Sequence, residues 1–311
     1  MTKLSINHKI SVILQYKNMV ILDGKTTAQS IKDQILKDLQ AYLDKGHRRP
    51  HLVAILVGED GASRTYVDSK ERNAKALGFE STVLRLPETT TEEALIACVQ
   101  AFNQDEDIDG IIVQSPLPKH INENLITQTI LASKDVDGFH DVNMGKLAKG
   151  DESGFISATP MGVMMMLKAY NIDTQGKHCV VIGRSNIVGR PMSLLMSANS
   201  KYGNATVTIC HSKTQNLSDY TLSADILIVA IGKPSCITAD MVKPNAVVID
   251  VGISRIDDAN RKSGFYLRGD VDFEQVQHKA AYITPVPGGV GLMTIAALLS
   301  NTFKAYKQHI S

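Results

Sequence analysis

The chain has 311 residues, 43% of them hydrophobic and 21% charged, with a formal net charge of +1. That is the composition of a globular protein with core enough for two domains. The balanced charge argues against a dedicated nucleic-acid binder, which would carry a strong basic excess, and no apolar run reaches the roughly 18 residues of a membrane span. Cys98, Cys179, Cys210 and Cys236 stand singly, without CxxC spacing. They indicate neither a metal site nor a disulfide framework and fit a reducing, cytoplasmic setting.

Residues 1–18 carry Lys3, Lys9 and Lys17 and no acid. Their apolar core is too short for a secretory signal and they lack an arginine-rich transit bias. They are expected to be an extension, disordered or arising from an early start, ahead of an ordered pattern that begins at Met19.

A helix is expected over 26–43, where Ala28, Ile31, Ile35, Leu36 and Leu39 recur at helical spacing. The run 51–57 reads as a buried strand. After the loop 58–62 a second helix begins, with Ser63 as N-cap and Gly78 as C-terminal stop. Its four-residue spacing puts Tyr66 and Lys70 on one face, at the mouth of the preceding strand, where open α/β sheets bind ligands. Alone, such a pair is an ordinary solvated face. A third helix spans 91–102, with Thr91 capping and Glu92 and Glu93 near its positive end. The strand 108–115 follows and ends in Gln114, a polar residue at the ligand-binding edge of a parallel sheet. After a helix at 121–131, the segment Lys134-Asp135-Val136-Asp137-Gly138 suits a turn with one carboxylate aimed inward.

The pattern breaks between Leu147 and Thr159, a candidate domain change. A helix over 162–170 carries Met164, Met165 and Met166 as adaptable core. The strand from Lys177 then runs into Gly183-Arg184-Ser185-Asn186-Ile187-Val188-Gly189. Strand, glycine turn and helix is the layout that aims backbone N–H groups at a phosphate, although Ser185 stands where GxGxxG has its second glycine. Strands at 205–210, 224–231 and 246–252 continue a Rossmann-type series. An NAD site wants an acid at the end of the 205–210 strand. His211-Ser212-Lys213-Thr214 stands there instead, with Arg184 in the glycine turn, so a 2′-phosphate and NADP are preferred. Last come the constrained loop Thr284-Pro285-Val286-Pro287-Gly288-Gly289-Val290-Gly291 and a helix from Thr294 to about 307.

Six of these stretches, in order, resemble one family throughout residues 19–311: the bifunctional methylenetetrahydrofolate dehydrogenase/methenyltetrahydrofolate cyclohydrolases. They are Tyr66-Val-x-x-Lys70, Val113-Gln114-x-Pro-Leu-Pro118, Lys134-Asp-Val-Asp-Gly138, Gly183-Arg-Ser-x-Ile-Val-Gly189, His211-Ser-Lys-Thr214 and the 284–291 loop. The resemblance implies an α/β homodimer of two-domain chains with an active site in the interdomain cleft. Residues 19–155 plus 292–311 would form a parallel-sheet catalytic domain, and 156–291 a Rossmann-type NADP-binding domain.

The resemblance also implies site roles: Lys70 as the catalytic lysine, Gln114 as its partner and Tyr66 as the ring packed on folate. Asp137, Pro287, Gly288 and Gly289 would bind folate. Gly183, Arg184, Ser185, Ile187, Ser212, Ile253 and Thr294 would contact NADP, and no metal is expected. The implied chemistry is oxidation of 5,10-methylenetetrahydrofolate to the methenyl form, then hydrolysis to 10-formyltetrahydrofolate. A lysine base for the second step must be partly neutral, which burial and a cationic substrate favour. A monofunctional dehydrogenase or a non-catalytic NADP-binding regulator is the alternative. The first would not need Lys70 and Gln114 together, and the second would be expected to have lost Lys70 or Asp137. Four positions depart from the family pattern: Ser157-Ala158-Thr159-Pro160 replaces Pro-Cys-Thr-Pro, and Leu292 and Gly61 stand where prolines are usual.

Overall fold

The computed structural model describes residues 19–261 and 264–310; the expected extension at 1–18 lies outside them. The described chain opens with a short strand, β1 (Val20–Ile21), and a 20-residue helix, α1 (Gly24–Leu43). Asp23 caps α1, its carboxylate accepting from the Lys25 and Thr26 N–H groups. Ala28, Ile35 and Leu39 are buried as the spacing predicts, whereas Leu36 is 46% exposed and faces solvent. It lies one position off the buried stripe.

The first sheet has three parallel strands, with β2 (His51–Val57) between β3 (Glu80–Leu86) and β4 (Gly110–Val113). Leu52 through Val57 are all buried, as expected of a central parallel strand covered on both faces. The connecting helices are α2 (Gly61–Ala76) and α3 (Glu92–Gln104), followed by α4 (Glu123–Thr129), α5 (Asp141–Lys149) and α6 (Ala158–Ala169). Thr91 caps α3 through the Ala94 N–H, and Gly78 ends α2 in a left-handed conformation at φ 79°. Ser63 is not the cap of α2. Asp60 takes that role, accepting from the Ser63 N–H at 2.7 Å, and Ser63 is buried inside the first turn. An Asp three residues ahead outcompetes a Ser as cap because its charge also suits the helix N-terminus.

The second sheet has six parallel strands in the order β1-β11-β8-β7-β5-β6. They are β5 (His178–Ile182), β6 (Thr206–Cys210), β7 (Ile226–Val229), β8 (Val247–Asp250), β11 (Tyr282–Ile283) and the initial β1. The expected division at 19–155 groups Val20 and Ile21 with the first domain, yet they pair with Tyr282 and Ile283. The helices here are α7 (Gly189–Ser197), α8 (Leu217–Thr221) and α9 (Phe273–Val276), and β9 (Ser254–Asp257) and β10 (Phe265–Arg268) form a separate antiparallel hairpin.

The helix α10 (Val290–His309) closes the fold. It starts four residues earlier than its expected onset, as does α6, where Pro160 occupies the first turn and so costs no helical hydrogen bond. Met166 is fully buried, with Met164 and Met165 packed around the cores. Ala158, at the position of the missing cysteine, is core as well.

Candidate functional site

The expected site residues lie at and beyond the carboxyl ends of strands in both sheets. On the first-domain side, α2 carries Tyr66 and Lys70 one turn apart. The Tyr66 ring is 41% exposed, while Lys70 is only 8% exposed. Gln114 extends β4 by one residue, its N–H donating to Ile55 O at 2.9 Å. Its side chain is oriented at both ends: Oε1 accepts from Lys70 Nζ at 3.1 Å and Nε2 donates to Ser115 O at 2.7 Å. A buried amine thus faces an uncharged acceptor beside an open aromatic surface.

The two acids of the 134–138 turn divide their duties. Asp135 is the inward one, 1% exposed, and accepts from the Gly138 and His140 N–H groups and from Asn143 Nδ2. Burial pushes its carboxyl above the usual range. Asp137 is half-buried and makes no hydrogen bond to another described residue, so its carboxylate is available to a ligand. Gly138 sits at φ 72°, and a Cβ there would lie 2.6 Å from Ile156 C and from Ser157 N; only glycine lets the turn back onto the interdomain segment.

Across the cleft, β5 runs into the Gly183–Gly189 turn. A Cβ at Gly183 would lie 2.4 Å from Ala230 O, and one at Gly189 would lie 2.2 Å from Gly183 O. The backbone of the turn packs on itself and on Ala230 too closely for a side chain at either position, which fixes the path of the turn. Ser185 Oγ accepts from the Val188 and Gly189 N–H groups at 3.1 and 3.4 Å, closing the turn from the position at which GxGxxG has its second glycine. Arg184 and Ile187 are exposed beside it. Ser212 is exposed on the turn after β6, where His211 N donates to Thr214 Oγ1 at 2.9 Å. These groups fit a phosphate-bearing dinucleotide, and no acid stands at the end of β6.

The loop 284–291 borders both halves. Gly24 N donates to Gly288 O at 2.9 Å, and a Cβ on Gly24 would lie 2.0 Å from Gly289 O, so the start of α1 packs directly on this loop. Pro287 is exposed. Ile253 is 38% exposed and reaches Gly291, while Thr294 Oγ1 meets Thr159 Oγ1 at 3.0 Å. These two stand where α10 begins rather than in the glycine turn.

A buried acid pair behind the cleft went unread in the sequence. Asp250 Oδ1 accepts from the Gly252 and Asp270 N–H groups and its Oδ2 from Val271 N. Asp270 Oδ2 accepts from Ile231 and Gly232 N–H groups, and its buried Oδ1 has no partner. Burial, with the Asp270 charge adding, pushes Asp250 up to about 7. The only signal was an acid closing the apolar run Val247-Val248-Ile249. Among the described residues no cluster of three His, Cys, Asp or Glu could hold a metal ion, and no helix is long and apolar enough to cross a membrane.

Comparison with known proteins agrees with this arrangement. Residues 22–137 match the model of the tetrahydrofolate dehydrogenase/cyclohydrolase catalytic domain, and residues 157–310 that of the tetrahydrofolate dehydrogenase/cyclohydrolase NAD(P)-binding domain. The bifunctional protein FolD of Cytophaga hutchinsonii is 56% identical over 287 residues, covering 92% of this chain and 99% of that protein. The crystal structure of the bifunctional FolD from Campylobacter jejuni is 49% identical, with a TM-score of 0.87 over 93% of this chain and 99% of that one. The Trypanosoma brucei enzyme, solved with NADP cofactor and inhibitor, is 36% identical with a TM-score of 0.88, over 94% and 98% of the two chains. By sequence and by fold, the chain belongs to the tetrahydrofolate dehydrogenase/cyclohydrolase family.

Proposed function

We propose that this chain oxidises 5,10-methylenetetrahydrofolate to the 5,10-methenyl form with NADP⁺ and then hydrolyses that product to 10-formyltetrahydrofolate. The observation that carries the assignment is the buried Lys70 amine held by Gln114 at 3.1 Å beside the open Tyr66 ring. The Gly183–Gly189 turn would hold the nicotinamide cofactor, which would supply the hydride acceptor. The chain's own part in that step is positioning: Tyr66 stacks on the flat substrate and Asp137 holds its pterin by hydrogen bonds. Pro287, Gly288 and Gly289 shape the substrate side. Gly183, Arg184, Ser185, Ile187 and Ser212 hold the cofactor, with Ile253 and Thr294 at its edge.

In the hydrolytic step water attacks the methenyl carbon. Lys70 takes a proton from the attacking water and returns one to the ring nitrogen as its bond to that carbon breaks, and the net reaction releases one proton. Gln114 orients the amine without placing a negative charge beside it, which would hold the proton on. Four unpaired cysteines support a cytoplasmic setting, and the family resemblance supports a homodimer, testable by sedimentation.

A coupled assay tests the reading. Purified protein with 5,10-methylenetetrahydrofolate and NADP⁺ is expected to produce NADPH, and added methenyltetrahydrofolate to lose its absorbance in an enzyme-dependent way. NADPH formation without methenyl decay would leave only the dehydrogenase, and neither signal would overturn the proposal.

A further inference from the structure

The substrate turn and the cofactor turn are joined by a continuous run of hydrogen bonds through the interdomain segment 155–157. Asn301, 1% exposed on α10, donates from Nδ2 to Val136 O at 2.8 Å and to Ile156 O at 2.9 Å. Asn143 repeats the tie from α5. Its Nδ2 donates to Asp135 Oδ2 at 2.9 Å, and its Oδ1 accepts from Phe155 N at 3.1 Å. The flanks of Asp137 are therefore locked to residues 155 and 156.

The next residue crosses to the other domain. Ser157 occupies the N-cap position of α6, where a serine hydroxyl ordinarily accepts from an N–H of the first turn. Here it makes no such bond. It donates instead to Ile187 O at 2.6 Å, inside the Gly183–Gly189 turn, and is 1% exposed. A helix cap is forgone for a contact with the cofactor turn. A buried hydroxyl would also lose that bond's free energy, without gaining water, if the turn moved away.

We propose that Ser157 is a positioning residue that couples substrate and cofactor binding, so that ordering the Asp137 turn pre-sets the Ile187 carbonyl and its turn. The proposal rests on the functional reading above, in which these two turns are the folate and NADP sites. Coupling of this kind is reciprocal: whatever factor folate applies to NADP⁺ affinity, NADP⁺ applies to folate.

The test is calorimetric titration of NADP⁺ into the full chain, with and without saturating tetrahydrofolate, which lacks the one-carbon bridge and cannot react. Tetrahydrofolate is expected to tighten NADP⁺ binding about fivefold or more. In Ser157→Ala that factor falls about threefold or more, toward one, a loss within the share of one buried hydrogen bond. Alanine fills the space of serine less one oxygen, so the variant folds. A merely structural role would lower Tm and weaken both complexes alike, leaving the factor unchanged, and that result overturns the proposal. So does mutual indifference of the two ligands in the unmodified chain. Failure of the unmodified chain to bind either ligand would instead overturn the functional reading, and the coupling with it.

Discussion

Lys70 and Asp250 are both buried ionisable groups, and their surroundings assign them opposite duties. Lys70 meets one uncharged side-chain oxygen at the cleft. Lys70→Met should reduce methenyl hydrolysis by about 10²–10⁴-fold, the usual worth of a general acid–base group, while NADP⁺ affinity stays as it was. Hydrolysis near the unmodified rate would remove Lys70 from the mechanism. Asp250 is caged by three backbone N–H groups and faces no cation. Its carboxyl, pushed up to about 7, keeps its proton through a range in which the unfolded chain has lost it. The stability from the protonated form is thus complete below about pH 4 and is lost as pH rises through about 7. The loss is on the order of 4 kcal/mol at most. Asp250→Asn abolishes this titration but leaves the Val271 N–H without its acceptor, so the variant starts weaker. Its unfolding free energy should gain on the unmodified chain steadily between about pH 4 and pH 7 in urea titrations, and level off above that. Parallel pH profiles would refute the assignment.

The last turn of α10 is fastened to the first domain by another buried acid. Asp109, fully buried just ahead of β4, accepts two hydrogen bonds from Arg48 at 2.7 and 2.8 Å, one from the His51 N–H, and pairs with His309 Nδ1 at 2.9 Å. Tyr306 OH donates to Arg48 O at 2.8 Å. Asp109 in turn holds the Arg48 guanidinium above its ordinary pKa. Breaking one side of a buried pair leaves an uncompensated charge, so Asp109→Ala should cost about 3–5 kcal/mol in urea unfolding. Arg85→Ala, which frees the exposed Asp68 at the surface, should cost under about 1 kcal/mol. Equal losses would show that burial is not what gives Asp109 its weight. The clamp also marks where the sequence ceases to be legible. The strand 51–57, the Thr91 cap, the Gly78 stop and the glycine turn carry local signals, because their causes lie within a few residues. Lys70 and Gln114, 44 positions apart, were paired through the family resemblance and not through spacing. His309 meets Asp109 across 200 positions, and Asp250 and Asp270 are held by backbone groups that no side-chain pattern reveals. The two residues of β1 are too few to show a period, and Asp60 displaced Ser63 because both are good caps.

Helices α1 and α10 each pack into both domains, and that sets how the molecule should unfold. In α10, Val290, Met293 and Ala296 pack in a core beneath the six-stranded sheet, while Ala297, Leu298, Leu299, Phe303 and Tyr306 pack in the core of the first domain. The entry to the chain does the same: Leu22 and Ala28 join the former core, Ile35 and Leu39 the latter. Neither domain can lose its core without stripping apolar surface from a helix that the other requires, and each exposed side chain of this size costs about 1.5–3 kcal/mol. An ordinary two-domain chain would be free to unfold in two steps. This one should show a single urea transition, coincident by far-UV circular dichroism and by tyrosine fluorescence. NADP⁺ supplies a sharper version of the test, since all its assigned contacts but Thr294 lie in the second domain. At a hundredfold excess over Kd it should stabilise the folded chain by about 2.7 kcal/mol, and the entire transition should move together. If the domains were independent, part of the signal would stay where it was without cofactor, and the shared helices would then be packing contacts that fail to transmit stability.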